Sequence, residues 1–356
     1  MRVILPPRVY LENNVDGADT FNSITTLSYD EATGALTEAA TLPPVSTGVP
    51  SMSYGGCAQN LTIHEATRRL FVSGTTGIAV FSIDPITGTL MPIPGSPFAH
   101  GNTGGWGIDI NAAGTRLWFS GYTVGISAFD IADDGTLTQV SGSPFPVTPR
   151  TVVLTASSDG GHVYALAQSG ATGTDFGVIH TFSVAGNGAL AIVGVPVEAG
   201  NGPFSMTRRP NTDQLYVADR VSLQVYQPGA DGVPAQIKGS PFALTTMAIP
   251  HVVAFTPDGS RAYLGIRNGS EIQGFTVEVS GAVTAMPTSP FRFDDTLFNP
   301  TCMSVSRDGR HLISNNEGGK EIAVLSLAAD GVPTHVAGSP FTLTPDENAS
   351  GLAITF

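Results

Sequence analysis

Five copies of one short motif divide this chain: Gly95-Ser-Pro-Phe98, Gly142-Ser-Pro-Phe145, Gly239-Ser-Pro-Phe242, Thr288-Ser-Pro-Phe291 and Gly338-Ser-Pro-Phe341. Each closes a unit with the same internal order. An alternating apolar run comes first, then a Gly- or Asp-containing turn. A second run around an aromatic, a third run and an Asp/Gly turn follow. Self-similarity at roughly 45–50 residues with four short strands per unit is the signature of β-propeller blades. The period-2 alternation of Val252, Ala254 and Thr256 against Val253 and Phe255 argues strands, and helical periodicity is absent.

Aligning the units on the large residue of the second strand gives Tyr10, Phe71, Trp118, Tyr164, Tyr216, Tyr263 and Ile313, hence seven blades. Leu42-Pro-Pro-Val45 and Val195-Pro-Val197 stand where two units lack Ser-Pro-Phe. Too little sequence precedes Tyr10 for a normal first strand, while the run Gly351–Phe356 is left over after Phe341. The reading is therefore one all-β domain over residues 1–356, a seven-bladed propeller whose blade 1 takes its innermost strand from the C-terminus. Such closure hides the sheet edges a linear array would expose. The Pro of each motif is expected to end an outer strand, and the Phe to pack between blades.

Composition narrows the partners. A formal net charge of −13 leaves no basic stripe for nucleic acid. No apolar run approaches the length of a membrane span. Lys238 and Lys320 are the only lysines, which suits an exported protein or a GC-rich genome. The expectation leans to export, with a leader absent from this chain; a cytoplasmic location is the alternative. Two readings of Cys57 and Cys302 stay open, a disulfide beside blade 1 or two partly buried thiols. Seven scattered histidines give no metal-ligand spacing, so neither metal nor cofactor is expected. A monomer is expected.

Function is expected on the face that carries the strand 2–3 loops and the blade-to-blade connections, because lengths vary there. Four positions after each aligned residue, the second strand ends on that face: Asn14, Thr75, Tyr122, Gln168, Arg220, Arg267 and Glu317. Twelve positions before it, the first strand begins: Gln59, Trp106, Val152, Phe204, His251 and Thr301, with Ser350 for blade 1. Arg220, His251, Arg267 and Glu317 concentrate charge on blades 5 to 7. Two guanidiniums beside a histidine suit a small carboxylate or phosphate. The competing reading is that these charges only link blades, through Asp219, Glu271 and Glu317.

Units such as Pro250-His-Val-Val-Ala-Phe-Thr-Pro-Asp-Gly-Ser-Arg-Ala-Tyr263 and Phe81-Ser-Ile-Asp-Pro-Ile-Thr-Gly-Thr-Leu90 resemble the seven-bladed lactonase propellers. That family includes bacterial 6-phosphogluconolactonases and fungal 3-carboxy-cis,cis-muconate cyclases. The resemblance implies a site of one histidine, two arginines and one glutamate at the channel mouth. Arg267 matches the second arginine. Phe204 stands at the first arginine, Arg220 at the glutamate and Val152 at the histidine, so three of the four positions depart. Two functions follow. One is a lactonase- or cyclase-like enzyme on a small anionic lactone, with Arg267 and Arg220 stabilising an oxyanion and His251 or Glu317 as base. Gln168, Tyr122, Trp106, Asn14 and Phe204 would contact substrate. The other is a non-catalytic, exported binding propeller for a small ligand or protein, resting on Trp106, Tyr122 and Phe204.

Overall fold

The structure, a computed structural model, describes residues 5–14, 21–38, 42, 44–50, 60–102, 107–121, 123–148, 150–168, 176–245, 249–267, 269–293, 299–316, 321–343 and 348–355. Alternating apolar residues with β-branched neighbours build antiparallel strands throughout. The sole helical element among the described residues is the three-residue 3₁₀ turn Glu65–Thr67. Seven separate sheets form, each a row of four strands from the axis outwards; the row follows sequence order except in blade 1, where the C-terminal strand comes first, and five of the sheets carry a further short strand paired with the third. Blade 6 is typical, with strands Ile249–Phe255, Arg261–Arg267, Glu271–Val277 and Val283–Ala285.

Blade 1 closes as the leftover run requires. The C-terminal strand Asn348–Thr355 lies innermost and pairs antiparallel with Arg8–Asn14, setting Ala353 opposite Tyr10. The register slips once, between Glu12 and Asn13. All seven aligned residues, Tyr10 to Ile313, are fully or almost fully buried. The apolar core is correspondingly divided into seven clusters, each drawn from two neighbouring blades, so that the last joins blade 7 to blade 1.

The repeated motif is structural. Its serine hydroxyl accepts the amide N–H of a third-strand residue in all five copies: Ser96 from Val80, Ser143 from Ala128, Ser240 from Val225, Ser289 from Gly274 and Ser339 from Val324, at 2.9–3.0 Å. All five Ser-Pro peptide bonds are cis. The residue before the serine has φ between +84° and +92° in the four copies with Gly, and Thr288 adopts +65° in the fifth. That left-handed conformation is why glycine recurs there.

One expectation changes. The outer strands stop at Pro92, Gln139, Gln236, Ala285 and His335, and the motif's Pro follows in the turn beyond. The chain then returns, and the Phe pairs with the third strand of its own blade, as Phe242 does opposite Leu223. A three-residue outer strand cannot cover the longer third strand, so the return segment completes it. Four of the rings are half-buried and Phe291 is buried, each against an inter-blade cluster. Blade 4 lacks the motif and instead runs a twelve-residue outer strand, Leu190–Asn201.

Cys302 is fully buried and disulfide-bonded. Of the two alternatives for the cysteines, the disulfide is the one present; Cys57 itself lies outside the described residues.

The serine cap carries a measurable share of blade stability. Ser240→Ala leaves the Val225 amide without its acceptor and is expected to cost about 1 kcal/mol in urea unfolding. An unchanged midpoint would mean the hydroxyl is dispensable.

Candidate functional site

The inner strands of blades 4 and 6 share a local irregularity that sets the site. In blade 6 the pairing slips between Pro250 and Val252, leaving His251 as the extra residue of a β-bulge. In blade 4 it slips between Thr151 and Val153, leaving Val152. Bulges re-aim a side chain. His251 and Val152 are thus equivalent positions, one carrying an imidazole and the other a buried aliphatic side chain.

Arg267 ends the second strand of blade 6, opposite Ile249, at the same end of the sheet as the bulge. The ring of His251 stacks on Phe204 of blade 5, with centroids 5.4 Å apart and planes 11° from parallel. Its Nε2 is shut away from solvent and has no hydrogen-bond partner among the described residues. Burial, helped by the positive charge of Arg267, pushes the imidazole down to about 3. The ring is therefore neutral at physiological pH, stacked on an aromatic face and next to a guanidinium.

The structure brings Phe204, His251 and Arg267 together across blades 5 and 6. Arg220 lies half-buried at the end of blade 5 on the same face, its N–H donating to Asn201 O at 3.4 Å. Among the described residues no hydrogen bond or ion pair links Arg220 to His251 or Arg267. Asp219 does not serve as its counter-ion. The Asp219 carboxylate accepts from Val221 N, Ser222 N, Ser222 Oγ, Gln224 Nε2 and Asn201 N, and so builds the turn beneath. Glu271 pairs with Arg292 at 3.4 Å. Gln168 is buried at 1% exposure, with its amide donating to Pro203 O, so it braces the segment before Phe204 from behind. Asn14 ends its strand in blade 1. Glu317, Tyr122 and Trp106 lie outside the described residues.

Sequence spacing missed Arg150. It stands opposite Gln168 at the level of the Ile249–Arg267 pair and adds a third guanidinium to this end of blades 4 to 6. It falls fourteen positions before Tyr164, two outside the ring chosen from the sequence; the bulge at Val152 is what brings it level. His100 is structural. It is fully buried, stacked on Phe119 at 4.4 Å, with Nε2 donating to Gly74 O and Nδ1 accepting from Asn102 N. Among the described residues no group of three His, Cys, Asp or Glu side chains could hold a metal.

The depressed imidazole gives a signed pH effect. Its folded value lies below the ordinary 6.5, so the unfolded chain takes up the proton first as pH falls. Stability on this account is intact above pH 6.5 and declines toward pH 3, by at most about 1.4 kcal/mol per pH unit. His251→Gln is expected to flatten that decline in urea unfolding followed across the window. An unaltered slope would assign the effect to another group.

Comparison with known proteins bears on the fold that carries this geometry. The family model for lactonase, 7-bladed β-propeller, matches residues 116–265, which span parts of blades 3 to 6. The structure of a candidate 6-phosphogluconolactonase from Bacteroides uniformis superposes with a TM-score of 0.77 at 18% identity, covering 98% of this chain and 100% of that one. The periplasmic gluconolactonase of Pseudomonas aeruginosa gives 0.71 at 17% identity, covering 98% and 99%. No curated protein matches the sequence. The blade count, the closure by the C-terminal strand and these superpositions make this chain a seven-bladed β-propeller whose central blades match the lactonase family model.

Proposed function

We propose that the mouth formed by Phe204, His251 and Arg267 binds a small, acid-bearing lactone and opens its ring by hydrolysis. One observation supports this most: a neutral imidazole held on an aromatic face beside a guanidinium, at a β-bulge in the inner strand of blade 6. Arg267 would meet the developing oxyanion of the attacked carbonyl, where a preorganised cation acts most strongly in a water-poor site. Arg220 and Arg150 would hold the substrate's carboxylate or phosphate. The partner that His251 Nε2 lacks would be a ligand oxygen. A base near 3 holds a proton poorly at neutral pH, so water activation falls to Glu317, which the sequence places on the same face of blade 7.

A second reading has one observation in its favour. Val152 fills the bulge where the resemblance puts a catalytic histidine, and it is 1% exposed. A propeller with that position closed could bind the same anion without turning it over. Export is part of either reading. A disulfide at Cys302 suits an oxidising compartment, and one similar protein is a periplasmic gluconolactonase. The chain is taken as a monomer with a small ligand.

The test is acid release from δ-gluconolactone and from its 6-phosphate, followed by pH indicator. Arg267→Ala is expected to lower kcat about 10²-fold or more and to weaken binding of the anionic ligand by about 1.5–3 kcal/mol. Binding that depends on Arg267 without turnover of either lactone would leave the binding module. No change in either quantity would remove the site.

A further inference from the structure

We propose that the central channel holds a second small-molecule site, at the end opposite Arg267, which takes a neutral polyhydroxylated compound about the size of a six-carbon polyol. A cavity of about 250 Å³ lies there between the inner strands of blades 2 to 5. At roughly 30 Å³ per water it has room for about eight waters. Its polar lining is Thr62, Asp109, Thr155, Thr207 and Arg208, and Leu61 and Ile108 complete it.

The register fixes where this is. Thr62 stands opposite Phe71, Asp109 opposite Trp118, Thr155 opposite Tyr164 and Thr207 opposite Tyr216. These four positions therefore form one level around the axis. Ala254, Ser304 and Ala353 occupy it in the other blades, opposite Tyr263, Ile313 and Tyr10. Asp109 is the one ionisable residue on that level. Thr155 lies five residues along its strand from Arg150, about 16 Å at the usual rise. The cavity is thus separate from the mouth that carries His251 and Arg267.

Asp109 is already anchored. Its Oδ2 accepts from Ala156 N at 2.8 Å and Thr155 Oγ1 at 3.0 Å, and its Oδ1 from Ile110 N at 2.8 Å. These bonds clip blade 3 to blade 4 and hold the carboxylate in place. Arg208 is anchored from its own blade, with Nη1 donating to Thr212 O at 2.9 Å and lying 4.0 Å from Asp213 Oδ1. Its Nε–H is buried without a hydrogen-bond partner. No ion pair joins Asp109 to Arg208, although both line the same space. Burial raises the Asp109 carboxyl above its usual range, and the nearby Arg208 charge works against that rise.

Charge and donor pattern select the ligand. One carboxylate and one guanidinium balance, so the cavity offers no net field to an ion, and Asp109 opposes an anion outright. The hydroxyls of Thr62 and Thr207 each donate and accept, while that of Thr155, its proton given to Asp109, accepts. The carboxylate only accepts and the guanidinium only donates. Closely spaced C–O–H groups satisfy such a mixture, since each does both. Leu61 and Ile108 supply an apolar side for the carbon chain.

The test uses the full chain and D-glucitol as the probe, by calorimetry and ligand-observed NMR. Glycine and inorganic phosphate serve as zwitterionic and anionic comparisons. Saturable, millimolar glucitol binding is expected, weakened about tenfold in Thr207→Val, whose side chain keeps its shape but loses a hydroxyl. Thr62→Val provides a second, independent loss should Thr207→Val fold poorly. Arg267→Ala is expected to leave glucitol binding unchanged. The proposal is overturned by absent or non-saturable glucitol binding, by binding indifferent to both threonine variants, or by binding lost with Arg267. Preference for glycine or phosphate over glucitol would overturn it as well.

Discussion

Each blade is fastened to the next by a side chain two residues before its aligned aromatic, seated on a glycine of the next blade's outer turn. Arg8 lies over Gly88, Arg69 over Gly135, Arg116 over Gly188 and His162 over Gly232; Gln214 lies over Gly281, Arg261 over Gly331 and His311 over Gly34. A methyl group on any of these seven glycines would sit 2.4–3.0 Å from that side chain. The glycines also have φ between +75° and +93°, so no other residue suits the turn or the contact. Where the seated group is arginine it donates to turn carbonyls, as Arg8 does to Thr87 O and Arg116 to Ala185 O and Gly186 O. Tyr10, Tyr216 and Tyr263 reach past it to Gly88 O, Gly281 O and Gly331 O at 2.7–2.9 Å. The angle and spacing of blades follow from this repeated seat, and so do the channel width and the distance between Phe204 and His251.

This seat shows why the fold was legible and part of its chemistry was not. Repeats state the blade count directly, because each unit must bury its faces against two neighbours. The leftover run at the C-terminus then has one place to go. The arginines are a different matter. Counted along the sequence they look like a reserve of positive charge in a chain of net charge −13, yet Arg8, Arg69, Arg116 and Arg261 are inter-blade fasteners. A contact between residues some 70 positions apart leaves no local pattern. The motif's Pro was misplaced for a related reason: a strand of three residues ends sooner than its apolar alternation suggests, and the return pairing that completes the sheet is not local.

The site was legible by level but not by direction. Counting from the aromatic put His251, Phe204 and Arg267 at one end of adjacent blades, and they meet there. The same count put Gln168 at the mouth, where its side chain instead turns inward to Pro203. Strand spacing gives height along the sheet; a bulge decides which way a side chain faces, and bulges carry no sequence signal in this chain beyond their context. Val152 and His251 share one bulge geometry with opposite polarity. That difference, rather than the fold, separates the buried apolar side chain of blade 4 from the imidazole of blade 6.

Two buried ionisable groups, His251 and Glu12, pull the pH dependence of stability in opposite directions. His251, held near 3, weakens the fold as pH falls below 6.5. Glu12 acts in the opposite sense. It is fully buried where blade 1 meets blade 2, opposite Gly351, and accepts from the amides of Asn22 and Asn60. Burial raises it from 4.5 to about 8, so the folded chain holds the proton more tightly than the unfolded one. Its contribution is complete below pH 4.5 and fades as pH rises toward 8. Between 4.5 and 6.5 the two slopes have opposite signs and offset each other. Of these two groups, Glu12 acts above that interval and His251 below it. The closure seam therefore favours acid while His251 disfavours it, and their contributions offset each other under mildly acidic conditions.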